Sequence, residues 1–82
     1  MDIIEAIIQA ARERKLLRIQ YKKLNNEVTE RDVEVYEIKD GTRLYAWDIA
    51  KNDHIRQFII TGILQAEVLD QVFEPRYPIL IE

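Results

Sequence analysis

Three arginines, Arg31, Arg43 and Arg56, lie in runs that alternate polar and apolar residues, and the aromatic residues Tyr36, Tyr45, Trp47 and Phe58 are interleaved with them. An arginine fork holds phosphate through two parallel N–H donors, and an aromatic face is a surface on which any base can stack. If the runs are neighbouring strands, this mixture suits an anionic, nucleotide-like ligand. The expected ligand-binding residues are Arg31, Tyr36, Arg43, Trp47, Arg56 and Phe58. Arg31 and Arg56 would hold phosphate, and Tyr36, Trp47 and Phe58 would stack on or shape the ligand. The competing reading makes the aromatics core and pairs the arginines with Glu30, Asp32 or Asp48.

Other chemistries have little to work with. His54 is the only histidine, it falls in a predicted turn, and it is assigned no role. No Ser-His-Asp or Cys-His arrangement can be assembled from neighbouring positions. Gly41 and Gly62 are the only glycines, which excludes the Gly-rich phosphate loops. There is no cysteine, so no disulfide and no thiolate metal site is expected. Carboxylates are plentiful but scattered, and nothing selects a pair for acid–base work. The expectation is a binding module without catalytic activity, metal or cofactor.

These residues are positioned by one helix and about five strands. Ile3, Ile4, Ile7, Ile8 and Ala11 repeat at helical spacing. Asp2 with Glu5 three residues later reads as a capping box. The helix is expected over residues 2–14. Leu17, Ile19 and Tyr21 then alternate with Arg18, Gln20 and Lys22 as a half-buried strand. After the Asn25-Asn26 turn, Val28 to Ile38 is the second strand, with a bend or bulge where the apolar phase slips between Val35 and Tyr36. Asp40-Gly41 is the strongest hairpin signal, since both central residues of a type I′ turn need positive φ. Arg43 to Asp48 and Ile55 to Ile60 are the next strands. Ile63 to Val72 is a fifth, with a short helix as the alternative. Pro75 and Pro78 bracket a loop before Ile79-Leu80-Ile81, expected as an edge strand in a C-terminal segment, 75–82. Short strands at even spacing imply a mainly β domain, a small five-stranded barrel over residues 16–73, with the helix stripe plugging one end or covering one face.

Bulk properties agree with one small globular domain. The chain has 82 residues, 48% hydrophobic and 33% charged, with a net charge of −3. The acidic start lacks the basic region of a signal peptide and no apolar run approaches membrane-spanning length, so the expected location is cytoplasmic. Charge is uneven. Arg12, Arg14, Lys15, Arg18, Lys22 and Lys23 are opposed within their run only by Glu13, whereas Glu67, Asp70, Glu74 and Glu82 outnumber Arg76 beyond Gly62.

The segment from Leu16 to Pro75 resembles the WYL domain, a module of bacterial transcription regulators. Leu17-Arg18-Ile19-Gln20-Tyr21 is similar to the opening strand that ends in tyrosine. Arg31-Asp32-Val33-Glu34-Val35-Tyr36 is similar to the family's arginine, valine, then proline-tyrosine pattern. Leu44-Tyr45-Ala46-Trp47-Asp48 occupies the strand carrying the name tripeptide. Ile55-Arg56-Gln57-Phe58 matches Arg-x-Phe, and Ile63 through Phe73 matches the closing strand. The sequence departs from the pattern in three places. Thr42-Arg43-Leu44 stands at the name tripeptide, Val35 replaces the proline, and Gly62 stands where an arginine is frequent. The resemblance implies an SH3- or Sm-like barrel preceded by a helix. It also implies sensing of a nucleotide or single-stranded DNA or RNA, in regulators of DNA-damage response and phage defence. A helix-turn-helix domain usually precedes the module. Eighty-two residues hold no such domain, so the chain is expected to be a stand-alone module or a piece of a larger regulator. The rival expectation is a protein-interaction module with a degenerate ligand site, forming homo-oligomers through the Ile79-Leu80-Ile81 edge.

Overall fold

The computed structural model describes residues 2–81. Helix α1 spans Ile3–Glu13. The Asp2 side chain accepts the Glu5 amide at 2.8 Å, which closes the first turn. Arg14 adopts a left-handed conformation (φ 52°) and its N–H returns to the Ala10 and Ala11 carbonyls, which ends the helix. The buried residues are Ala6, Ile7, Ala10 and Ala11, whereas Ile4 is exposed. The expected isoleucine stripe is thus rotated toward the alanines. Small side chains let the helix axis approach the sheet closely, and the larger isoleucines flank that contact. No helix among the described residues is long and apolar enough to cross a membrane.

Five strands follow: β1 (Lys15–Lys22), β2 (Val28–Lys39), β3 (Arg43–Asp48), β4 (Ile55–Ile59) and β5 (Ile63–Val72). All neighbours are antiparallel, in the order β4-β3-β2-β1-β5. The long strand β2 carries the bend. Its first half pairs with β1 as far as Leu17↔Val33, and its second half pairs with β3 from Val33↔Asp48 onward. The register slips between Val35 and Glu37, the bulge expected at Val35 and Tyr36. Asp40 and Gly41 both have positive φ (56° and 69°), as a type I′ turn requires. β4 and β5 are the two edges, joined by the one-turn 3-10 helix Ile60–Gly62. The five strands therefore form a bent open sheet, and no ladder between β4 and β5 closes it into a barrel among the described residues.

The inner face carries the core. Leu17 and Ile19 of β1, Val33 and Val35 of β2, Leu44 and Ala46 of β3, Phe58 of β4 and Ile63 of β5 join the helix residues in one buried cluster. Ile79 and Ile81 pack against it, but residues 79–81 form no strand. The segment is held by a ladder-like bond from Leu80 N–H to the Tyr36 carbonyl at 2.8 Å. The expected C-terminal edge strand is therefore a strap whose isoleucines point inward, because burying them gains more than exposing them along an edge.

Candidate functional site

The alternation that buries Val33, Ala46 and Phe58 also sends Arg31, Asp48 and Arg56 to the same inner face, at the end away from the bulge. Tyr21 arrives from β1 by the same rule. Its ring meets Phe58 edge-on at 5.0 Å, and its hydroxyl accepts the Ile59 amide at 3.0 Å. A cavity of about 240 Å³ opens there, lined by Tyr21, Arg31, His54, Ile55, Arg56, Gln57 and Phe58. Two of the expected phosphate ligands and one expected aromatic thus share one pocket.

The two arginines are held differently. Arg31 is nearly buried. Its Nη1 donates to Asp48 Oδ2 at 2.9 Å, its Nε donates to the Thr29 hydroxyl at 3.1 Å, and its guanidinium lies 5.5 Å from the Phe58 ring centroid. Asp48 is itself buried, and its other oxygen accepts the Ala50 amide at 3.0 Å, which fixes the turn after β3. Arg56 is half-buried, and its Nη2 donates to both oxygens of Asp53 at 3.0 and 3.3 Å. Its Nε is buried and has no hydrogen-bond partner among the described residues. Such an orphaned charged donor is costly unless something supplies an acceptor. Asp53 also faces His54 Nδ1 at 3.0 Å. Partial desolvation works against its ionisation, but the charges of Arg56 and then His54 outweigh it and hold the Asp53 carboxyl below its ordinary range. Asp53 is exposed, so Arg56 is held by a carboxylate that solvent or a ligand can displace.

The remaining expected residues lie elsewhere. Tyr36 is buried on the outer side of the bulge, not in the pocket. Its hydroxyl donates to Glu34 Oε1 at 2.6 Å and accepts the Arg76 amide at 3.0 Å. Burial, then the bond to Glu34, pushes the phenol up to about 12. Arg76 forks onto the buried Glu34 carboxylate at 3.0 and 3.3 Å and lies 4.5 Å above the Trp47 ring. Trp47 is therefore sandwiched into this outer cluster, with its indole N–H donating to Asn52 at 3.1 Å. Tyr36 and Trp47 are structural in this arrangement, and Phe58 lines the pocket as a buried core residue with the Arg31 guanidinium over its ring. Arg43 stands apart on β3, half-buried and 3.7 Å from Asp40.

Three of the six basic residues at positions 12–23 pair with acids among the described residues. Arg18 forks onto Asp32 at 2.8 and 3.1 Å, Lys15 meets Glu13 and Lys23 meets Glu27. Gly62, where the resemblance implied arginine, has a steric reason. A Cβ there would lie 2.9 Å from the Tyr21 ring and 3.0 Å from the Lys22 carbonyl. The competing reading of the sequence included Asp48 among the acids that pair with the arginines, and Asp48 does hold Arg31. Tyr21 and Asp53 were missed as neighbours of the arginines. Tyr21 was legible as the inward residue of the first strand. Asp53 is only three residues from Arg56 and pairs with it locally, whereas the choice of Asp48 for Arg31 depends on a strand register that no local pattern specifies.

The model of the family described as WYL domain matches residues 2–68, so the match includes α1. Among solved structures, proteasome accessory factor B/C (PafBC) of Arthrobacter aurescens superposes with a TM-score of 0.73 at 30% identity, over 90% of this chain. The matched region is 13% of that protein, so this chain spans a small part of it. No curated protein matches. A five-stranded sheet in this order, the inward arginines on β2 and β4, and a family match over residues 2–68 lead to one assignment: the chain belongs to the WYL domain family.

Proposed function

We propose that this WYL domain is the ligand-sensing module of a cytoplasmic transcription regulator, and that it binds its effector without transforming it. The effector we infer carries phosphate, as a nucleotide or a short stretch of single-stranded nucleic acid. Family membership supports the sensing role. The observation that carries the phosphate reading is the Arg56 guanidinium, with a buried unpartnered Nε and an exposed, displaceable counter-ion, in the same pocket as Arg31. A phosphate group has the acceptors that this fork lacks. Arg31, braced by Asp48 and Thr29, would supply a second fixed positive charge at no ordering cost on binding.

The pocket is small, and at about 240 Å³ it suits one phosphate and its sugar better than a whole nucleotide. Fluorescence anisotropy with short labelled single-stranded DNA, at low and moderate salt, tests the reading. Arg56→Ala should weaken binding and flatten its salt dependence, because a lost phosphate contact releases fewer counterions. No binding at either salt would sink the nucleic-acid version.

A further inference from the structure

A second cavity lies on the opposite side of edge strand β4. It measures about 420 Å³ and is lined by Tyr36, Glu37, Tyr45, Ile55, Tyr77, Pro78 and Leu80. We propose that this cleft is a base-stacking subsite for a nucleobase whose phosphate occupies the Arg56 pocket. The inference rests on the reading given above and extends it to the base.

The two walls come from different parts of the chain. On β3, Arg43, Tyr45 and Trp47 point outward at alternate positions, opposite the inward Leu44 and Ala46. The facing wall is the strap. It is anchored by the Arg76–Glu34 fork and by the Leu80–Tyr36 bond, so Tyr77 stands over the sheet as a fixed ring. Tyr77 meets Tyr36 edge-on at 5.5 Å and lies 6.2 Å from Trp47, and it is still 45% exposed. Rings held on both sides of an open apolar cleft suit a planar, weakly polar occupant.

Charge and position select the base over other planar groups. Ile55 lines both cavities, so they flank one short edge strand, with Arg56 directed to one and Ile55 to the other. A ligand straddling β4 can therefore reach both. Glu37 at the cleft rim repels a phosphate but can accept an exocyclic amine of a base. Lys39 Nζ lies 6.0 Å from the Tyr45 ring centroid. Phosphate is thus directed to the arginine side and the base to the tyrosine side. Trp47, the only tryptophan, abuts Tyr77 and will report occupancy.

The test compares two fluorescein-labelled oligomers by anisotropy, with the whole 82-residue chain. One is octadeoxycytidine, and the other is an abasic octamer with the same backbone. The expected result is binding of the cytidine oligomer about tenfold tighter than the abasic one, the lower range of what one stacked base contributes. Tyr45→Leu and Tyr77→Leu should each reduce that preference while leaving abasic binding unchanged, and Arg56→Ala should weaken both oligomers alike. The unaltered protein gives an independent readout. Trp47 fluorescence should be quenched by octadeoxycytidine and not by the abasic strand. Equal affinity for the two oligomers, a preference that survives both leucine variants, or tighter cytidine binding without Trp47 quenching overturns the base subsite alone. Failure of both oligomers to bind overturns the phosphate reading with it.

Discussion

Asp48→Ala is the sharpest probe of how the arginine pocket is built. The carboxylate is 2% exposed and receives Arg31 Nη1 at 2.9 Å, while the Arg31 side chain is only 11% exposed. Truncation leaves a nearly buried guanidinium without its counter-ion, a change that costs about 3–5 kcal/mol in comparable sites. Two features pull the value to the lower end. Arg31 keeps its bond to Thr29, and it borders two open cavities through which water can reach it. The Ala50 amide also loses its acceptor, but it lies in a turn where water can substitute. The expected loss is about 3 kcal/mol, a large share of the roughly 5–15 kcal/mol that a domain possesses. Urea denaturation followed by Trp47 emission measures it, and Tm should drop by on the order of 12 °C or more. Asp48→Asn keeps an acceptor for the turn and should cost less. The double variant Arg31→Met, Asp48→Leu should recover most of the loss, since replacing both partners removes the unpaired charge. A loss below about 1 kcal/mol for Asp48→Ala would show that water solvates the guanidinium and would refute the buried-pair argument.

Three further outcomes are expected. Gly62→Ala should destabilise by about 1–3 kcal/mol in the same denaturation assay, because its Cβ would press on the Tyr21 ring and the Lys22 carbonyl. Tyr36→Phe should cost about 1–2 kcal/mol near neutral pH through the lost bond to Glu34. It should also flatten the alkaline limb of the stability curve. The native phenol is raised from 10.0 to about 12, so the stability linked to it is complete below pH 10 and is lost as pH climbs toward 12. Unchanged curvature in a pH series of denaturation midpoints would contradict that assignment. Asp53→Asn should tighten single-stranded DNA binding up to about fivefold, because an exposed carboxylate no longer competes for Arg56. Weaker binding by this variant would make Asp53 part of the site and not its competitor.

Much of the architecture was legible locally. The capped helix, the Asp40-Gly41 hairpin, the bulge at Val35 and Tyr36 and the existence of all five strands each follow from patterns within a few residues. Burial of Val33 and Phe58 in the structure places Arg31 and Arg56, two residues away on the same strands, on the inward phase, since side-chain direction has a period of two. The ordered motifs along the chain pointed to the family that the comparison then established. Local pattern was less informative where an apolar residue had two ways to be buried. Ile79-Leu80-Ile81 reads as an edge strand and is a strap, and the helix turns its alanines inward in place of two isoleucines.

The sequence by itself determined which residues could form a core face and which turns the chain must make. Only the tertiary structure decided which arginine meets which carboxylate. Arg31 reaches Asp48, 17 residues away, because β2 bends at its bulge and brings the end of β3 across it. Arg76 reaches Glu34 across 42 residues, which removes Tyr36 and Trp47 from the pocket and commits them to the strap. Among the described residues Arg56 pairs with its exposed neighbour Asp53 alone and keeps a buried donor without an acceptor. The physical reason is one of range. Backbone conformation and burial phase are set over a few residues, whereas the pairing of charged side chains depends on register between distant strands, and that register is settled only when the whole core packs.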